Sequence, residues 1–403
     1  MKAIREFLLG PWRAVAVLGV TQVLAWGAIY YTPVLMVPLI AAERGWSKSF
    51  TMGGYSLGIL TAGIAARYVG AFIDRYGGHW VMPFGSLLGA LGLFAIPHAV
   101  HPMAYLCVWV VLGLAMAASL YDPAFASLGR IFGAQARRPI TALTLAGAFA
   151  STVSWPATRV LIDAIGWQST YLVYAVLLAF LAAPLHALAL PRMRVEPERP
   201  VAGATDAGTP ALLPASGRAF LLVVAAFAIY AFVPSGLLAH LLAMFGRLGI
   251  DAEIAVLIGM LFGPCQMAAR LAEFVFARNV HPLNIARFAI GMLVGGFVLL
   301  ATFGLSAVIA AAFMILLGLC NGLMTLARGT VPLALFGASG YGRLLGRIAG
   351  PSLVIQSAAP LVVAYVAERT SDLTAIAMTG LLAALSFVCF LAIRTPKFTR
   401  HKG

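Results

Sequence analysis

The chain has 403 residues, 62% of them hydrophobic and only 10% charged, whereas a soluble domain carries about 25% charged residues. An ordinary water-soluble protein is therefore excluded. The net charge of +14 argues for no nucleic-acid role, because the basic residues lie in short segments between long apolar runs rather than in one patch. Runs such as 307–327 far exceed a barrel strand of ~10 residues, and lipid admits only helices or closed barrels. The predicted class is an all-α membrane protein.

In chain order, a basic N-terminus leads into a first apolar segment with no small-residue cleavage site, read as a retained helix rather than a signal peptide. Gly, Pro and charged residues then delimit twelve spans. The first six run roughly over 13–41, 50–73, 80–97, 102–131, 138–164 and 167–190. The second six run over 218–246, 252–276, 284–303, 306–336, 342–368 and 372–394. Between them, 191–217 is rich in Pro, Ala and Gly and reads as a flexible cytoplasmic linker. It divides the chain into a six-helix bundle over 1–190 and another over 218–403. With a cytoplasmic N-terminus, 19 of the 27 lysines and arginines fall on the inside and 4 on the outside, the bias that sets orientation. The other 4, Arg67, Arg159, Arg270 and Arg328, lie within spans.

Within the spans, polar and aromatic residues mark candidate chemistry. Gln22, Trp26, Tyr30 and Tyr31 recur at helical spacing in span 1, either as the wall of a site or as helix packing. "AARYVGAFIDR" (65–75), at the end of span 2, is echoed by "AARLAEFVFAR" (268–278), at the end of span 8. Two six-helix halves in parallel orientation are a repeat architecture of secondary transporters. Asp122, in "SLYDPAF" of span 4, lies in low dielectric where a carboxyl takes up a proton more readily. It reads as a proton-coupling residue, or as the salt-bridge partner of Arg328 on span 10; Tyr121, Asn321 and Gln356 are further polar contacts. Arg159 and Asp163 are four residues apart and read as a local pair. His240 either senses protons or packs.

Arg270 lies eight residues before Arg278, about 12 Å deeper along a helix. Burying it costs about 2.5–3.5 kcal/mol on insertion scales. Gln266 and Glu273 share its face. Arg270 therefore either offers a two-donor fork to an anion or is neutralised by Glu273, itself a candidate proton-coupling group. Cys107, Cys265, Cys320 and Cys389 all sit in apolar runs, read as packing residues with no disulfide. There is no metal-ligand spacing and no phosphate-binding loop, so no cofactor is expected.

The stretch "GAFIDRYGGHW" (70–80) resembles the loop motif of the major facilitator superfamily, matching at Gly70, Asp74, Arg75 and Gly77, with Gly78 and His79 in place of two basic residues. "ERGWSKSFTMGGYSLG" (43–58) and "RRPITALTLAGAFAS" (137–151) are similar to the bacterial monocarboxylate and oxalate–formate branch. The resemblance implies two bundles that alternate access around a central site lined by span 1. It implies a gate in which Asp74 binds the N-terminal amides of span 11, with Gly70, Gly77, Arg75 and Arg130 around it. It implies that Arg270 binds a substrate carboxylate; the acid some relatives carry four residues earlier is Gln266 here. The expected function is secondary transport of a small organic anion, a monocarboxylate first, with a proton. The expected setting is the bacterial inner membrane, as a monomer in lipid with both termini cytoplasmic. The rivals are an exporter of the same superfamily, with Asp122 binding a cation, and a non-transporting sensor.

Overall fold

A computed structural model of the protein describes residues 10–192, 212–277 and 279–394. Both chain ends, Arg278 and most of the expected linker fall outside these. The regular structure among the described residues is helical, and ten helical stretches are long and apolar enough to cross a membrane. They begin with α1 (Arg13–Arg44), α2 (Lys48–Tyr76) and α3 (Gly78–His98). The next, Pro102–Ala189, is 88 residues long, about 130 Å at 1.5 Å per residue against a bilayer core of about 30 Å, so it crosses more than once. It comprises α4 (Pro102–Ser119), α5 (Tyr121–Phe132), α6 (Arg137–Gly147) and α7 (Phe149–Leu177), the last running on to Ala189 in wide turns. Gly133 (φ 57°) and Gly166 (φ 79°) divide it, at backbone angles that cost only glycine nothing.

After residue 217 come α8 (Arg218–Arg247), α9 (Ala252–Met260), α10 (Phe262–Phe276), α11 (Pro282–Phe303), α12 (Ala307–Phe336), α13 (Tyr341–Arg369) and α14 (Asp372–Ala392). Polar caps start several of them. Ser47 and Ser371 accept from the amides of Phe50 and Thr374, each at 3.1 Å, and Asp251 accepts from those of Glu253 and Ile254. These satisfy first-turn donors that a helix leaves unpaired.

Two local departures from regular helix concern α1 and the 102–131 segment. α1 is widened over Trp26–Tyr31, because Pro33 cannot donate to the carbonyl of Ile29. The Gly27 carbonyl there takes both the Thr32 amide and, at 2.8 Å, the Thr32 hydroxyl. Span 4 is not one helix: it turns at Leu120 (ψ −157°) between α4 and α5, where Pro123 has no N–H for the Ser119 carbonyl. Gln22 of α1 supplies that donor at 2.7 Å.

The helices before residue 190 and those after 218 meet at the end of Gly77, Ala277 and Gly340, here the near end, and inward from it along α2 and α13 as far as Gly63 and Gly350. There α2 meets α13 with glycine against backbone: a Cβ at Gly70 would overlap the Gly342 carbonyl, and one at Gly346 the Ala66 carbonyl. A shared apolar core links Ile73, Phe125 and Ile140 to Ala269, Val331 and Leu345. A second core, from Ala25 to Ala182, draws its buried residues from the first half alone. Polar contacts at the opposite, far end also stay within one half. Arg44 donates to the carbonyls of Ile96, Pro97 and Ala99, Glu43 accepts from Trp167 and Gln168, and Arg247 pairs with Asp372 at 2.7 Å.

Candidate functional site

At the near end, Asp74 at the foot of α2 accepts from the Gly342 and Arg343 amides, both at 2.8 Å. These are first-turn donors of α13, where the helix dipole also favours a carboxylate. Arg130 of α5 donates to the carbonyls of Ile73 (3.2 Å) and Asp74. Gly77 turns the chain at φ 89°, and Gly70 lets α2 touch α13. Arg75 takes no part in these bonds; its guanidinium lies 5.2 Å from the Tyr76 ring.

A second near-end contact joins α6 to α10. Glu273, 4% exposed, pairs with Arg137 at 2.9 Å and accepts from Thr141 at 3.4 Å. Arg137 also donates to the carbonyls of Ala277 (2.9 Å) and Val280 (2.8 Å) at the end of α10. The alternative in which Glu273 neutralises Arg270 is thereby corrected: the carboxylate turns toward the other half. His281, in the loop beside this contact, is held below its ordinary pKa by burial and then by Arg137 and Arg287.

Farther into the bundle lies a layer of cross-half polar contacts. Arg328 of α12 donates to Asp122 of α5 at 2.7 Å. The other carboxylate oxygen, Oδ1, and the Arg328 Nε are buried with no hydrogen-bond partner. Gln356 of α13 donates to the Tyr30 hydroxyl at 3.0 Å. Arg270, 5% exposed, reaches from α10 to the Thr144 carbonyl of α6 at 3.1 Å and bonds Gln266 Oε1 and the Thr325 hydroxyl, both at 3.3 Å. All three partners are neutral, its Nε is unpartnered, and no ion pair reaches it among the described residues.

Around this layer stands an aromatic wall built by the wide turns of α1. Trp26 lies 4.6 Å from Tyr30, 5.9 Å from Tyr31 and 4.9 Å from Tyr121 of α5, ring to ring. Tyr30 adjoins Tyr55 of α2 at 5.8 Å, and Tyr121 stacks on Phe125 at 5.3 Å. Trp26 donates to Gln22 Oε1 at 3.0 Å, so the residue that satisfies Ser119 also fixes the indole. Tyr121 fits because its hydroxyl lies on Gly147, where a Cβ would overlap it. Asn321 lies behind Gln266, donating to its Oε1 at 2.9 Å.

Other marked residues fall elsewhere. Arg67, the sequence counterpart of Arg270, is exposed and stacks at 4.4 Å on its neighbour Tyr68. Arg159 and Asp163 form an exposed pair at 2.9 Å. His240 packs against the Pro360 carbonyl at 2.9 Å. The four cysteines are free; Cys320 is buried, whereas Cys107 is exposed on α4, a correction to its reading as a packing residue. Arg137, Thr141, Thr144 and Tyr230 escaped the sequence reading. The first three look ordinary until the other half is set beside them, and Tyr230 until Asn321 of its own half is. His186, likewise missed, bridges Thr21 (2.8 Å) and Ser86 (3.1 Å) inside the first half.

Ten apolar helical stretches, one of them long enough to cross more than once, with two halves in contact and a charged layer between them define a polytopic membrane protein. The profile of the Major Facilitator Superfamily matches residues 15–349, and the chain belongs to that superfamily of transporters; it is a transporter and not an enzyme. Among curated proteins, it is similar to a probable anion transporter 3, chloroplastic, of Arabidopsis thaliana, at 30% identity over 152 residues. That stretch spans 35% of this chain and only 28% of the relative's length. Among solved structures, the human organic anion transporter MFSD10 superposes with a TM-score of 0.70 at 16% identity, covering 94% of this chain and 99% of that one. The E. coli fucose:proton symporter FucP does so at 0.70 and 14%, covering 95% and 98%. A bacterial homologue of the iron transporter ferroportin, in an outward-facing state, does so at 0.70 and 13%, covering 94% and 98%. At these identities the likeness concerns the fold.

Proposed function

We propose that the protein is a secondary active transporter for a small organic anion, a monocarboxylate first, moved with a proton by alternating access. Three crossings within Pro102–Ala189 bring the total to twelve, in bundles over 1–190 and 218–403 with a linker at 191–217. The basic bias makes the near end cytoplasmic, with both termini, in the inner membrane of a bacterium, and the chain acts as a monomer. The described state is then outward-facing, closed below by Asp74 on α13 and by Arg137 on Glu273.

The observation that carries the anion reading is Arg270: a buried guanidinium held only by neutral groups. A buried charge without a counter-charge is costly, and a carboxylate entering between the halves supplies one with bidentate geometry. Near the layer, the three guanidiniums of Arg137, Arg270 and Arg328 face the two carboxylates of Asp122 and Glu273, so the local charge favours an anion. Gln266 and Asn321 border the guanidinium, Arg328 is a second anion contact, and Trp26, Tyr30, Tyr121 and Gln356 wall the organic body. Asp122 is the proton site: protonated, it releases Arg328. Glu273, engaged by Arg137 and Thr141, serves the gate rather than the proton. Arg130 braces that gate, Gly70 and Gly77 shape it, and Arg75 stands beside it.

The names of two relatives include an anion transporter and an organic anion transporter, which supports the reading, as the proton symporter among the neighbours supports coupling. A cation exporter would need a free carboxylate, and both in this region are paired. A melting screen of the purified protein against carboxylates, amines and sugars tests the class. Stabilisation by carboxylates that disappears in Arg270→Ala is expected; stabilisation by amines alone would favour the exporter.

A further inference from the structure

Behind Arg270 runs a chain of hydrogen bonds whose direction is settled by one chemical fact: a guanidinium donates and never accepts. Gln266 must therefore turn its Oε1 toward Arg270. The same oxygen then takes its second bond from Asn321 Nδ2 at 2.9 Å, so the Asn321 side chain is also turned one way. Its Oδ1 faces the Tyr230 hydroxyl of α8 at 2.8 Å, which must donate. No step of this chain can reverse while Arg270 is present. The Gln266 Nε2 is left on the opposite side of the amide, on a half-buried residue, with no hydrogen-bond partner among the described residues. The Arg270 Nε is also buried and unpartnered.

From this geometry we infer that Tyr230 and Asn321 are positioning residues that lock the Gln266 amide as a second donor beside Arg270, making the site select a carboxylate over its neutral amide or alcohol. The inference rests on the anion reading above and adds to it the group that discriminates. A carboxylate offers only acceptors, so it satisfies both donors; an amide presents its own N–H groups to one of them and leaves it unpaired. A site built from committed donors discriminates more strongly than apolar contact does. Arg270 sets the direction, and Asn321 and Tyr230 hold it: without them Gln266 is free to swing off Arg270 and present its oxygen to the ligand, and that selectivity would fall.

Equilibrium binding of acetate, pyruvate and benzoate, each against its primary amide, tests this on the full chain in detergent. The forms compared are wild type, Arg270→Ala, Gln266→Met, Tyr230→Phe and the double variant Gln266→Met/Tyr230→Phe, with unliganded melting as a check on folding. Gln266→Met keeps the volume and removes the donor, and about a tenfold rise in carboxylate Kd is expected, the scale of one hydrogen bond to a charged group, with little change for the amide. Tyr230→Phe, whose ring does not touch the ligand, is expected to lower the carboxylate-to-amide preference several-fold. It should have no further effect in the Gln266→Met background, since its action passes through Gln266. Additive effects, or an unchanged preference in Gln266→Met while Arg270→Ala still abolishes carboxylate binding, would overturn the positioning chain and leave the anion site standing. Carboxylate binding that is absent from wild type, or that survives Arg270→Ala, would overturn both.

Discussion

Glu273 pairs with Arg137 across the two halves at 2.9 Å and not with Arg270, three residues before it on the same helix. One carboxylate thus decides two things. It ties α10 to α6 at the near end, and it leaves the Arg270 guanidinium without an acid. Removing it should loosen the closed end without emptying the site. Glu273→Gln leaves Arg137 its two carbonyl partners and costs the closed state about 1.5–3 kcal/mol, the loss of a charge-assisted bond. Pulsed electron spin resonance between labels on the near-end loops of the two halves should show a longer-distance population at least tenfold larger than in wild type. An unchanged distance distribution would mean that the pair does not hold the gate.

Asp74 makes the other near-end contact, two amide bonds to the start of α13. Asp74→Asn keeps one acceptor and turns an NH2 toward the second amide, so the contact is halved and its charge is lost. Transport in proteoliposomes should slow by about tenfold, while binding of the anion persists. Normal transport rates in this variant would remove Asp74 from the gate.

The glycine contact between α2 and α13 gives a steric version of the same test. At Gly70 and Gly346 an added methyl meets backbone carbonyls, which cannot rotate away. Gly346→Val should therefore fold, because its own bundle is untouched, yet fail to close at the near end. Cysteines placed on the near-end faces should become accessible to a bulky thiol reagent. If they stay protected, the close approach is dispensable.

Gln22 should matter for stability more than for transport. It supplies the donor that Pro123 denies to the Ser119 carbonyl. Gln22→Leu buries that carbonyl unsatisfied and frees the Trp26 indole, at a cost of about 1–3 kcal/mol. A melting temperature within a degree of wild type would show that the carbonyl finds another donor.

Much of the fold could be read from the sequence because lipid simplifies the problem: apolar length marks helices. The "AAR" echo placed Arg67 and Arg270 at equivalent positions, yet one is exposed beside Tyr68 and the other buried between halves. Pseudo-symmetry fixes where a backbone goes and says nothing of what packs against it. Trp109 shows the same limit: Gly54 and Gly58 of α2 leave room for its ring, which is 1% exposed, and no local pattern announces that fit. Arg137 and Thr144 were invisible as partners because their contacts join residues over a hundred positions apart, across halves whose relative placement no local pattern encodes. The turn at Leu120 follows from Pro123, which has no amide hydrogen for the Ser119 carbonyl, and only the structure shows Gln22 answering it.

The central claim is that Arg270 awaits a negatively charged substrate, and titration of the best carboxylate from the melting screen into wild type, Arg270→Lys and Arg270→Ala tests it most directly. The account predicts partial binding with lysine, which keeps the charge but not the fork, and a loss of about a hundredfold or more with alanine. Affinities within twofold of one another across the three proteins would contradict it.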